Sequence, residues 1–85
     1  MKWQLSPTNG QKSYYGKAIV ELNTQNETVL YSYGTKICAF VPGKRNNTVF
    51  VKYWNGYSAT TMKHINSFCA QNGHHGYNKK DWEAL

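Results

Sequence analysis

The sequence predicts an α+β fold: a four-stranded antiparallel sheet with one helix, over about residues 58–72, packed on one face. Three observations predict it. Four apolar runs, over residues 14–22, 28–33, 35–41 and 48–54, carry strand patterning. The connections between them are short, so successive strands should pair antiparallel. One amphipathic run with its own start and stop follows them.

Residues 1–12 hold Pro7, Asn9 and Gly10 and read as an irregular leading segment, pinned by Trp3 and Leu5. From Tyr14 to Leu22 the pattern alternates, with Tyr14, Ala18, Val20 and Leu22 on one side and Lys17 and Glu21 opposite. Polar residues 23–27 form a loop. Val29, Tyr31 and Tyr33 give the second strand its phase, and Gly34 marks a bend or bulge before the third. A turn is expected from Pro42 to Asn47, because Pro and Gly interrupt a ladder and Asn tolerates left-handed angles. In the fourth strand Val49, Val51 and Tyr53 share one face, and Phe50, Lys52 and Trp54 the other.

The helix is the best-punctuated element. Ser58 is a side-chain cap, and Gly73 is placed where a left-handed residue ends a helix. Ser58, Met62, Ile65, Phe68 and Cys69 share one core-facing stripe, with Lys63, Ser67 and Ala70 on the far side and His64 at the border. Residues 74–85 read as a polar, aromatic tail, either a short helical turn from Lys80 or a mobile end.

Eighty-five residues make a single domain, 1–85, with a thin core: chains of this size bury about 60–65% of the surface they expose unfolded. Ten Lys or Arg against four Asp or Glu give a formal charge of +6, which favours anionic partners. Aromatic residues are 15% of the chain, led by seven tyrosines. No run is long and apolar enough to span a bilayer, and residues 1–12 lack a secretory pattern. A cytoplasmic, reducing setting follows as the expectation, with Cys38 and Cys69 buried as small hydrophobes.

Few motifs carry chemistry. Zinc sites need closely spaced ligand pairs converging on a tetrahedron, whereas His64 and Cys69 point to different sides of a helix, so no metal and no cofactor is expected. No nucleophile elbow, phosphate loop or carboxylate pair is present. A small ribonuclease built on His64, His74 or His75 with Tyr77, Lys79 and Lys80 is a third reading after two non-enzymatic ones. Basic residues interleaved with aromatics are the stronger signal. Lys36, Phe40, Phe50, Lys52 and Trp54 are expected in one strand phase, with Lys44 and Arg45 at the adjoining turn and Lys79 and Lys80 in the tail. Such a surface stacks bases and neutralises phosphates.

Ser32-Tyr33-Gly34-Thr35-Lys36-Ile37, taken with Tyr57-Ser58-Ala59-Thr60-Thr61-Met62-Lys63-His64-Ile65-Asn66-Ser67-Phe68, resembles a small uncharacterised domain family. That family occurs in phages and mobile elements of Gram-positive bacteria and repeats S-Y-x-T followed by Y-S-x-T-T-x-x-H-x-x-x-F. The resemblance spans residues 28–72. It implies a phage or mobile-element origin and brings no activity with it. Its polar residues have structural work available: Ser58, Thr60 and Thr61 at the free donors of the helix start, and His64 against the Ser32–Thr35 bend.

The sequence therefore leads to a non-enzymatic, phage-type accessory protein in the cytoplasm of a bacterial host. It would engage nucleic acid or a host nucleoprotein through Lys36, Lys44, Arg45, Lys52, Trp54, Lys79 and Lys80. The alternative is an inhibitor of a host defence protein, anti-CRISPR-like, acting by protein–protein contact. No membrane partner is expected, and an edge strand offers a route to a homodimer.

Overall fold

The computed structural model describes residues 1–85, the Asn46 side chain apart. The fold is α+β, with five strands and two helices where four and one were expected. The strands are β1 (Lys2–Gln4), β2 (Ala18–Leu22), β3 (Thr28–Ser32), β4 (Thr35–Pro42) and β5 (Thr48–Lys52). They form one antiparallel meander in sequence order. The helices, α1 (Ala59–Gln71) and α2 (Lys79–Glu83), follow the sheet.

β1 lies inside the segment expected to be irregular. Three exposed residues are too few to show a period, and what makes them a strand is tertiary: Lys2, Trp3 and Gln4 pair with Glu21, Val20 and Ile19. β2 is shorter than the expected strand, because residues 14–17 form a turn closed by Lys17 N–H donating to Tyr14 O.

Cross-strand partners share a face, so Val20, Leu30 and Cys38 form one row with Lys52 at its end. These three apolar residues join Met62, Ile65, Phe68, Cys69, Tyr77 and Trp82 in a single core, so both helices cover the same side of the sheet. A β-bulge between β3 and β4 changes the phase of β4: Leu30 opposes Cys38, yet Tyr31 opposes Lys36, leaving Ile37 unpaired. Ile37 and Cys38 are both buried in the core, and Lys36 is turned to the uncovered face with Tyr31 and Ile19. The expected common phase of Lys36 with Phe40, Phe50, Lys52 and Trp54 therefore does not occur. Gly34 makes the hairpin turn, and the bulge lies three residues beyond it.

Helix α1 begins and ends as its residues predict. Ser58 Oγ accepts from Thr61 N–H, and Gly73, at φ 69°, closes the other end. There His74 N–H donates to Cys69 O and Gly73 N–H to Ala70 O, which satisfies two terminal carbonyls. The buried part of α1 is wider than one stripe, because a second layer covers its flank. Ser67, expected on the far side, is buried: its Oγ accepts from Thr8 N–H and lies 2.7 Å from Tyr14 Oη. Tyr14 Oη also donates to Lys63 O, and Gln71 Nε2 donates to Ser6 O, so residues 5–14 are strapped along the helix.

The tail is folded rather than mobile. Asn66 grips Tyr77 like a backbone partner, donating from Nδ2 to Tyr77 O and accepting from Tyr77 N–H at Oδ1. Gly76 must be glycine for this approach, since a Cβ there would come within 2.7 Å of Asn66 Oδ1. Asn78 caps α2 by accepting from Asp81 N–H, and Trp82 is fully buried, its Nε1 donating to Gly56 O. Cys38 and Cys69 are free thiols in the core, and burial pushes the Cys69 thiol up to about 12, so neither is poised to react.

Candidate nucleic-acid interface

The β3–β4 hairpin, the exit of β5 and the start of α1 meet at one end of the sheet, and chemistry-bearing side chains collect there. Two tight turns lie side by side, joined by Tyr33 N–H donating to Lys17 O. One is Tyr15-Gly16, with φ of 54° and 78°; the other is Tyr33-Gly34, with φ of 51° and 80°. Positive φ at both central positions is the hairpin-turn signature that favours Asn-Gly. A tyrosine in that conformation costs about 1–2 kcal/mol relative to the right-handed one. The same end thus carries backbone strain twice, and each time the strain presents a tyrosine ring.

His64 stands on α1 against these turns. Its Nδ1 lies 2.8 Å from Ser32 Oγ, which in turn lies 3.2 Å from Thr61 Oγ1. This is the bend contact anticipated from the sequence. The Tyr14 ring packs edge-on at 4.4 Å and the Tyr33 ring lies 5.9 Å away. The imidazole is only 1% exposed. Burial first, and then the Lys17 ammonium, lower its pKa below the ordinary 6.5. Gln11, Tyr15, Lys17, Tyr33, Lys63 and His64 line a pocket of about 200 Å³.

Lysines sit over tyrosine rings around this end. Lys17 Nζ is 5.6 Å from the Tyr33 centroid, Lys36 Nζ 4.2 Å from that of Tyr53, and Lys79 Nζ 5.1 Å from that of Tyr57. All three tyrosines are exposed, Tyr33 the most at 55%. A shallow groove lined by Tyr33, Thr35, Trp54 and Ser58 runs between them. The first turn of α1 contains no acidic residue, so the positive end of its dipole is left uncompensated at this surface.

The residues expected to bind are distributed unevenly. Lys36, Trp54 and Lys79 reach this end. Lys52 faces the helix layer, where its Nζ donates to Trp82 O and lies over the indole. Lys80 is exposed on α2. Lys44 and Arg45 belong to a tight turn, Lys44–Asn46, in which Arg45 is left-handed at φ 57°, at the opposite end of the sheet. Phe40 and Phe50 pack against each other and against Phe68 and Tyr77, so they are core and not stacking platforms. Lys17, Lys63, Tyr15, Tyr33, Tyr53 and Tyr57 were missed. The repeated Tyr-Gly pairs were the available signal, because a bulky residue ahead of Gly in a tight turn needs a reason.

The larger cleft, about 460 Å³, lies at the other end between Asn26, Phe40, Asn47, Asn72 and His74. His74 stacks on His75 there, and Tyr77 is buried. Of the histidines considered for a ribonuclease, His64 and His74 line different pockets. Among the described residues no group of three His, Cys, Asp or Glu could hold a metal ion, and no helix is long and apolar enough to cross a membrane.

Over residues 1–84 the chain belongs to DUF8033, a family of unknown function. No curated protein and no solved structure matches it.

Proposed function

We propose that this protein is a non-enzymatic accessory protein of the phage or mobile-element kind, acting in the cytoplasm of a bacterial host. It binds single-stranded nucleic acid, free or in a nucleoprotein, through the lysine–tyrosine arc at the start of α1. The observation that carries this reading is the trio of exposed tyrosines at one end, each with a lysine over its ring. An exposed cation–π contact is worth only about 0.5–1 kcal/mol, so a base can take the ring at little cost. The displaced ammonium then needs only a short swing to reach the adjoining phosphate. Base–aromatic stacking contributes about 1–3 kcal/mol per base and tolerates any sequence.

Anisotropy of labelled single and double strands across a salt series tests this. With Lys17, Lys36 and Lys79 each neutralising one phosphate, log K should fall against log salt with a slope of roughly −2 for single strands. Binding that is undetectable at low salt would end the proposal.

A second reading, inhibition of a host defence protein by direct contact, rests on the face of the sheet that neither helix covers. Ile19, Tyr31, Val51 and the exposed Val49 and Tyr53 make it partly apolar, and β5 is an open edge suited to pairing with a partner or a second copy. Capture of a partner from host lysate that survives nuclease digestion would favour this reading over the first.

A further inference from the structure

His64 has one ring nitrogen to spare. Its Nδ1 is taken by Ser32, and Nε2 has no protein partner among the described residues. Yet no fully enclosed side-chain nitrogen or oxygen lacks a hydrogen bond. Nε2 must therefore be the part of this almost wholly buried ring that meets the pocket it lines. That leaves one imidazole nitrogen, on an otherwise buried and fixed ring, free to exchange its water for a polar ligand.

The surroundings specify the charge of that ligand. Lys17 and Lys63 line the pocket with Tyr14, Tyr15, Tyr33, Thr60 and Gln11, and no carboxylate does. The hydroxyls behind the ring form a chain, Thr61 Oγ1 to Ser32 Oγ to His64 Nδ1. When the chain runs from Thr61 to Ser32 to Nδ1, the neutral ring carries its proton on Nε2; a protonated ring donates from Nε2 in either direction of the chain. At about 200 Å³ the space is below the roughly 300–1,000 Å³ of pockets for drug-sized ligands, so it suits a group and not a whole nucleotide. Tyr15 and Tyr33 wall it from strained turns, and the first turn of α1 adds a positive dipole end.

We propose that the pocket over His64 accepts a phosphomonoester, the phosphorylated end of a nucleic-acid strand, with His64 Nε2 and the ammonium groups of Lys17 and Lys63 as donors. This rests on the strand-binding reading and adds a terminus to it. A chain-end phosphate carries up to two charges and three free oxygens, matching three donors, whereas an internal diester presents one charge and two. The strand would then run from this pocket along the tyrosine arc.

The test compares the same short single strand bearing a 5′-phosphate, a 3′-phosphate or hydroxyls only, with inorganic phosphate titrated separately. The ring nitrogen signals of His64 are followed by NMR. One phosphorylated end should bind about tenfold tighter than the hydroxyl strand, a factor that one charge-assisted hydrogen bond can supply. Inorganic phosphate should shift the His64 signals and raise its titration midpoint, because an anion favours the protonated ring. The double variant Lys17→Ala/Lys63→Ala changes two exposed side chains and should abolish the preference with no loss of folded signal. His64→Gln should also abolish it if the variant folds.

Equal affinity for all three strands with no ring response to phosphate overturns the proposal, and the hydroxyl strand's own binding still reports on the arc. A ring response to inorganic phosphate without end preference keeps the phosphate site and overturns the strand end as its source.

Discussion

The two ends of the sheet differ in a way their cavities do not announce. The far end holds the larger cleft, lined by amides, hydroxyls, His74 and the apolar Phe40, Val41 and Pro42; it has left-handed residues of its own in Asn26 and Arg45, but no lysine or arginine enters the lining. The near end holds a pocket less than half that size, with two lysines, a buried imidazole and two strained tyrosines. Open volume arises wherever loops diverge. Strain, unpaired polar atoms and convergent charge each carry a free-energy cost, so their coincidence is the more informative feature.

The largest effect should come from removing the support common to the near end and the tail. Trp82 is buried, donates to Gly56 O just before Tyr57 and is the floor under Lys52. Trp82→Ala should cost about 3–5 kcal/mol in urea unfolding and release α2, which carries Lys79 away from Tyr57. If the far end were the binding site, any folded population of this variant would keep full strand affinity.

Charge removal separates the ends directly. The triple variant Lys17→Ala/Lys36→Ala/Lys79→Ala should reduce the salt slope by about 2, at roughly 0.7 per phosphate contact on a single strand. Lys44→Ala/Arg45→Ala should leave it nearly unchanged. The reverse result would move the interface to the far end and overturn the comparison.

How far the near end was readable from sequence follows from particular residues. The helix was legible because Ser58 and Gly73 act through local backbone chemistry. Strands β2, β3 and β5 were legible through alternation, β4 as an apolar run between Gly34 and Pro42, and the His64–Ser32 contact through the need of a polar residue near the core for a partner. Lys36 was misplaced because the bulge at Ile37 inserts one residue into a run that is apolar on both faces, so no period records the phase change. The second helix did leave a signal, Asn78 followed three residues later by Asp81, the cap seen in the structure. The lysine–tyrosine pairs left none, since each joins segments far apart in the chain.

A smaller effect should distinguish strain that serves a surface from strain that is incidental. Tyr33→Asn supplies the residue its turn conformation prefers. Relief of the left-handed penalty, less the lost ring contact with His64, should raise stability by about 0.5 kcal/mol. Strand affinity should fall at the same time. A variant both more stable and fully competent in binding would remove Tyr33 from the interface.

The finest test is the pH dependence of stability, and its sign follows from His64. Burial and Lys17 lower its folded-state pKa below the unfolded value near 6.5, so the unfolded chain takes up the proton first. Between the lowered pKa and 6.5 the unfolded state binds more protons, and stability rises with pH. The neutral ring's contribution is complete above about 6.5 and is lost as pH falls toward the folded-state value. Thermal unfolding from pH 8 to pH 5 should show a declining midpoint below about 6.5, and His64→Gln should flatten that decline. Saturating phosphate should reverse part of the acid loss, because an anion over Nε2 stabilises the protonated ring and opposes the burial that disfavours it. A decline that His64→Gln leaves untouched would take the acid sensitivity away from His64 and remove this reason for treating the two ends differently.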